Sequence, residues 1–330
     1  MYEQFYGLKE AAFSLTPDPA FLFLNKRSRE ALDLVLYAIE RREGFSLIVG
    51  DVGTGKTTLC WALLDRMAKK NIRTALIQNP ILSETDILRS ILQDLGVRPE
   101  GGTPGAVEEN ATPESVFDTS WLQGLNKKQL LDRLNLFLAA RAQEDVFTVL
   151  IVDEAQNLPV TLLEQLRLLS NLETAKKKLL QIIFVGQLEL DQKLKSASMR
   201  QLNQRISVRF ETKALSKPDT ELYVRHRLAV AGASSRLRFG TGAFRAIWRY
   251  SKGYPRLINL ICDRALLAGY TERTLLITRS LVRRAAMGLQ GGELVRRLTP
   301  GRLRRMAPYF VPALILLSVL CLMAYRALAH

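Results

Sequence analysis

Cysteine and histidine are scarce in this sequence. Three cysteines, Cys60, Cys262 and Cys321, are scattered over 330 residues. That excludes a disulfide framework and a Cys-x-x-Cys metal site, fits a reducing compartment and leaves the thiols as small packing hydrophobes. Two histidines, His226 and His330, provide no material for a His-rich metal centre or a serine-hydrolase triad. Met1 to Phe13 has no apolar core of the signal-peptide kind, and there is no internal repeat. Acidic residues are nearly missing from one region: residues 196–306 hold 6 Asp and Glu against 23 Lys and Arg, a net +17, whereas residues 1–195 sum to −3 and the whole chain to +15. Such a basic block serves nucleic acid, an anionic membrane surface, or phosphate and subunit contacts, and charge alone does not choose among them. With 48% apolar and 24% charged residues the chain is globular, long enough for two or three domains of about 100–150 residues.

The only long uncharged stretch is Met306 to Tyr325, MAPYFVPALILLSVLCLMAY. As a helix rising about 1.5 Å per residue it spans roughly 30 Å, the thickness of a bilayer core. Tyr309 and Tyr325 stand near its ends and Arg302, Arg304 and Arg305 precede it, which places the basic side in the cytoplasm. The expectation is a single C-terminal membrane anchor, with residues 1–305 cytoplasmic and 326–330 a short tail.

Upstream, short β-branched runs (45–49, 74–78, 148–152, 180–185) alternate with amphipathic stretches (58–69, 84–95, 128–141, 162–172), the rhythm of an α/β fold with a parallel sheet. Residues 97–119 are rich in Gly, Pro and Glu and read as a flexible insertion in one crossover. After Thr220 only helical periodicity remains. The expected organisation is a sheet domain over 1–215, a helical lid domain over 216–287, a basic linker over 288–305 and the anchor over 306–325.

Gly50-Asp51-Val52-Gly53-Thr54-Gly55-Lys56-Thr57 fits G-x-x-x-x-G-K-[ST] between a strand and a helix. The glycines let backbone N–H groups curl around a phosphate chain, and the helix N-terminus adds positive potential through Thr58. Lys56 neutralises the terminal phosphates, and the Thr57 hydroxyl faces Mg²⁺. Val149 to Val152 then delivers Asp153 and Glu154 at a strand end: Asp153 suits the water shell of Mg²⁺, Glu154 the water that attacks the γ-phosphate. Gln187, after the next strand, is placed to orient that water or to cap the following helix. Arg205, with Arg200 and Arg209 as alternatives, is a candidate for reaching a neighbouring subunit's γ-phosphate, and Arg256 in Gly253-Tyr254-Pro255-Arg256 for pointing back from the lid.

Together these motifs resemble an AAA+ P-loop ATPase with Walker A, Walker B, sensor 1 and sensor 2. More narrowly, Tyr2-Glu3-Gln4-Phe5-Tyr6-Gly7-Leu8, Pro17-Asp18-Pro19, Asp153-Glu154-Ala155-Gln156-Asn157-Leu158, the run Leu166 to Thr174 and Pro255-Arg256-Leu257-Ile258-Asn259 resemble the general secretion pathway protein A family over roughly residues 1–285. The resemblance implies an ATPase anchored in a bacterial inner membrane, using ATP and Mg²⁺, that forms a ring such as a hexamer. It would act with an envelope membrane protein of a type II secretion, type IV pilus, or exopolysaccharide or exosortase system. Leu188 stands where that family usually has proline, and Asn203 where arginine is common. The family's secretion members continue into a periplasmic peptidoglycan-binding domain, whereas five residues follow the apolar run here, so direct peptidoglycan contact is not expected. The rival reading is a DNA-associated ATPase of the transposition-helper or initiator type. It is disfavoured because no dense basic run with interleaved aromatics and no helix-turn-helix is evident.

Overall fold

The computed structural model describes residues 2–16, 18–78, 83–97, 120–174 and 177–297, with side chains described as far as Leu289. The expected anchor 306–325 and tail 326–330, nearly all of the 97–119 insertion, the end of the linker, and Cys321 lie outside these residues. Among the described residues no helix is long and apolar enough to cross a membrane.

In chain order the elements are α1 (Tyr2–Tyr6), α2 (Lys26–Glu40), β1 (Phe45–Gly50), α3 (Lys56–Ala68), β2 (Ile72–Ile77), α4 (Glu84–Asp94), α5 (Ser120–Gln123), α6 (Lys127–Gln143), β3 (Phe147–Val152), α7 (Val160–Leu169), β4 (Leu180–Gly186), α8 (Leu188–Leu194), α9 (Arg200–Asn203) and β5 (Ile206–Thr212). Then follow α10 (Lys217–Val230), β6 (Arg238–Phe239), α11 (Thr241–Ser251), α12 (Pro255–Thr271), β7 (Leu276–Ile277) and α13 (Arg279–Arg297).

β1 to β5 form one parallel sheet in the order β2-β3-β4-β1-β5. β1, β3 and β4 are buried along their whole length, as strands covered on both faces must be. Alternation of side chains splits the core in two. Leu47, Val49, Leu150 and Phe184 pack against α4, α6, α7 and α8, while Ile48, Val149, Ile151 and Ile183 pack against α2 and α3. The order seats β4 between β1 and β3, so the three loops at their C-terminal ends are neighbours. Helix starts follow local chemistry: Asn25, Ser83, Asn126 and Ser216 each accept a backbone N–H of the first turn.

The third core belongs to the helical unit, and it recruits the N-terminus. Tyr2, Tyr6, Phe13 and Phe21 pack with Val224, Ile247, Ile258, Leu266 and Val282. Residues 2–16 and 18–21, expected in the sheet domain, therefore pack with the lid: Tyr6 donates its hydroxyl to the carbonyls of Leu266 at 3.0 Å and Thr274 at 3.2 Å. Two further differences stand out. The stretch after Thr220 is not purely helical, because β6 and β7 form a short parallel ladder. The stretch read as a linker from 288 begins as helix, since α13 carries its apolar spacing through Val282, Ala285, Ala286 and Leu289 into the lid core.

Candidate functional site

β1 ends at Gly50 because β5 leaves no room for a side chain: a Cβ there would lie 1.9 Å from Thr212 Oγ1 and 2.7 Å from Thr212 O. The loop then turns through Gly53 (φ 77°) and Gly55 (φ 95°), left-handed positions that glycine tolerates. Gly55 is the N-cap of α3 and offers no capping side chain. The first N–H groups of that helix thus stay open to an anion.

Lys56 folds back across this loop. It is 7% exposed, and its ammonium donates to the carbonyls of Gly50 at 2.9 Å and Asp51 at 3.0 Å. Burial pushes its pKa below the ordinary lysine range, opposed by the carboxylates of Glu154 and Asp153. Thr54 Oγ1 donates to Asp51 O at 2.7 Å and meets Thr212 Oγ1 at 2.7 Å. From the lid, the Tyr254 hydroxyl donates to Asp51 Oδ2 at 2.8 Å, the main cause of a lowered Asp51 pKa.

At the end of β3, Asp153 is 9% exposed and accepts the Glu154 N–H at 2.8 Å. Burial raises its pKa and the Glu154 carboxylate adds to this, while the Glu154 N–H and Lys56 oppose it. Glu154 itself sits at φ 51°, a strained conformation for a residue with a Cβ. Gln187, at the end of β4, is the N-cap residue of α8 but makes no side-chain cap.

Several of these groups face one cavity of about 380 Å³, although Asp51, Asp153 and Tyr254 do not line it. Val52, Gly53, Thr54, Gly55, Lys56, Thr57 and Thr58 line it with Glu154, Gln187 and Arg256, and Thr212, Lys213, Ser14, Phe21 and Phe23 close other walls. Gly50 and Asp51 form the base of the loop. Arg256 approaches so closely that a Cβ on Gly53 would lie 3.2 Å from its own Cβ. A phosphate chain with a divalent cation fits this set: open N–H groups, a buried ammonium, a hydroxyl and a buried carboxylate. Among the described residues no three His, Cys, Asp or Glu cluster to hold a metal by themselves, so a cation here needs phosphate oxygens as well.

The three arginines expected near a neighbour's phosphate are not in the cavity. Arg205 donates to Asn171 and to Ser170 Oγ, Arg209 pairs with Asp191 at 2.8 Å, and Arg200 is exposed with no ion pair among the described residues. Sequence reasoning missed Gln156, Tyr254, Thr212 and the N-terminal wall. Gln156 and Tyr254 lie inside motifs already singled out by their neighbours; Thr212 and the aromatic wall become visible only through strand register and long-range packing.

A family model described as "AAA domain" matches residues 39–194. Over 291 residues the chain is 39% identical to general secretion pathway protein A of Aeromonas hydrophila, an alignment that takes in 88% of this chain and 49% of that protein. The chain thus spans about half the length of this curated relative. Among solved structures, the ADPNP-ADP form of the Aeropyrum pernix ORC2 protein superposes with TM-score 0.59 at 16% identity, covering 85% of this chain and 71% of that one. Cdc6p from Pyrobaculum aerophilum gives 0.60 at 17%, covering 83% and 69%. The Drosophila ORC bound to DNA gives 0.54 at 20%, covering 83% and 63%. At these identities the likeness is one of fold.

Proposed function

Since residues 39–194 form an AAA domain in a chain related to general secretion pathway protein A, we propose that it binds and hydrolyses ATP. We propose further that it is a membrane-anchored, oligomeric ATPase serving the assembly or regulation of a cell-envelope machine. The observation that carries the ATPase reading is the convergence of Lys56, Thr57, Glu154, Gln187 and Arg256 on one cavity, with the buried Asp153 holding the Glu154 N–H behind it. The loop N–H groups and Lys56 bind the phosphates, Lys56 exchanging its two carbonyl partners for phosphate oxygens. Thr57 and Asp153 hold Mg²⁺, which when bound shields phosphate charge and polarises the γ-phosphoryl group. Glu154 takes the proton of the attacking water, Gln187 orients that water, and Arg256 brings the lid onto the nucleotide. Anchoring rests on Met306–Tyr325, and the envelope partner on kinship with the secretion protein.

Lys56→Ala should abolish nucleotide binding, whereas Glu154→Gln should bind ATP, fail to turn it over and accumulate as an oligomer. Titration with a fluorescent nucleotide, phosphate release and light scattering check all three. Wild-type turnover by Glu154→Gln removes the base assignment. Co-purification of envelope components with Glu154→Gln from native membranes supports the envelope role, and extraction of the full chain by alkaline carbonate counts against anchoring.

A second reading, a DNA-associated ATPase, has one structural observation in its favour. Arg238, Arg245, Arg249, Arg279 and Arg283 of the lid are exposed and have no ion pair among the described residues. Structural relatives include an ORC bound to DNA.

A further inference from the structure

β3 delivers Glu154 and then turns through a single 3-10 turn, Ala155–Asn157. Within that turn Gln156 reaches in two directions with one side-chain amide. Its Nε2 donates to Glu154 Oε2, and its Oε1 accepts the backbone N–H of Gln187 at 3.0 Å. The amide has one workable orientation: a carboxylate only accepts and a backbone N–H only donates, so a flip would set acceptor against acceptor and donor against donor. The turn is held from below by Lys193 of α8, whose ammonium donates to Gln156 O at 2.6 Å and Leu158 O at 2.9 Å.

Gly186 supplies an independent sign that this amide belongs where it is. A Cβ at Gly186 would stand 2.7 Å from Gln156 Oε1 and 2.8 Å from Leu190 Cδ2. The last residue of β4 lacks a side chain where the Gln156 amide lies. The ends of two adjacent strands, β3 with the proposed base and β4 with the proposed water-orienting residue, are thereby joined by two hydrogen bonds of one amide.

We propose that Gln156 is the positioning residue of the hydrolytic site. It acts from outside the cavity, which it does not line. It sets the Glu154 carboxylate at a fixed place relative to the end of β4, so that Glu154 and Gln187 face the same point of the cavity together. Among the described residues Gln156 is the one hydrogen-bond partner of the Glu154 carboxylate, which stands on a backbone at φ 51°. The inference rests on the ATPase reading.

The experiment is steady-state ATP hydrolysis by the full chain beside direct nucleotide binding, for wild type, Gln156→Ala, Gly186→Ala and the double variant. Gln156→Ala should lower kcat about tenfold to a hundredfold while the affinity for ATP stays within about twofold, as expected when a reacting group is misplaced and the phosphate loop is intact. Gly186→Ala should reproduce the loss by displacing the amide, and the double variant should be no worse than either single one, because both changes disable the same link. A wild-type kcat in Gln156→Ala overturns the proposal. So does a loss of affinity and of Tm in proportion to kcat, or an additive double variant, because each describes a general packing role. An absence of hydrolysis in the wild type removes the ATPase reading instead, a result distinguishable from all of these.

Discussion

The role proposed for Asp153 asks for a charged ligand in a place that resists charge. Burial raises its pKa, the neighbouring Glu154 carboxylate raises it further, and the Glu154 N–H and Lys56 only partly offset this. A carboxyl whose folded-state pKa lies above its unfolded value binds protons more readily when folded, so it costs stability as pH rises through that interval. Asp153→Asn keeps an oxygen for the Glu154 N–H and removes the desolvated charge. The nucleotide-free variant should therefore melt about 2 °C or more above wild type near neutral pH. The difference should disappear below the ordinary carboxylate range, where wild-type Asp153 is protonated in both states. Melting curves at several pH values check this, and Mg²⁺ should no longer improve ATP binding to the variant. A lower Tm for Asp153→Asn at neutral pH means that attraction to Lys56 outweighs the cost of burying the charge.

Strands with continuous apolar runs, such as Val149–Val152 and Ile182–Val185, are visible in the sequence because a parallel sheet buries both faces. The phosphate loop is visible because all of its chemistry is contiguous. What periodicity does not carry is register. Phe45 pairs with Ile206 and Gly50 with Thr212, so the chain just before β5 lies at the sheet edge opposite the phosphate loop. Six residues of strand separate the two edges by about 20 Å. Arg205 therefore cannot serve its own site, and any role in hydrolysis must be in trans. Arg209 is held by Asp191 and is the weaker candidate. Arg205→Ala should keep ATP affinity and lose turnover by about a hundredfold or more, as for other arginines that stabilise transferring phosphate. Mixing it with Lys56→Ala is the sharper measurement. Neither variant alone hydrolyses ATP, but in a head-to-tail ring of both about a quarter of the interfaces join an intact site to an intact arginine. Recovered turnover in the mixture places Arg205 in trans, whereas a mixture as inactive as its components removes it.

At the scale of the molecule, the N-terminal aromatics were illegible as lid residues because their partners lie more than 200 positions away: Tyr6 meets Leu266, and Arg227 donates to the carbonyl of Ala12 at 2.6 Å. The charge asymmetry, by contrast, was plain in the sequence, and the structure shows what it leaves exposed. Some lid arginines are spent on local pairs, Arg225 with Glu221 and Arg284 with Glu272. Arg238, Arg245, Arg249, Arg279 and Arg283 are not, and α11 and α13 begin side by side, a Cβ on Gly242 lying 3.4 Å from that of Arg279. Five exposed guanidinium groups with no ion pair among the described residues attract any polyanion at low salt, whatever the protein's role. If each meets one phosphate, affinity falls about a hundredfold between 50 and 150 mM salt. Binding at low salt is therefore uninformative, and turnover near 150 mM salt decides. An envelope ATPase should hydrolyse ATP at the same rate with and without duplex DNA under those conditions. Changing Arg245, Arg249, Arg279 and Arg283 to Glu should leave that basal rate intact, since none of them lines the nucleotide cavity. Stimulation by duplex that survives 150 mM salt and vanishes in the four-residue variant would transfer the basic face, and with it the function, to DNA.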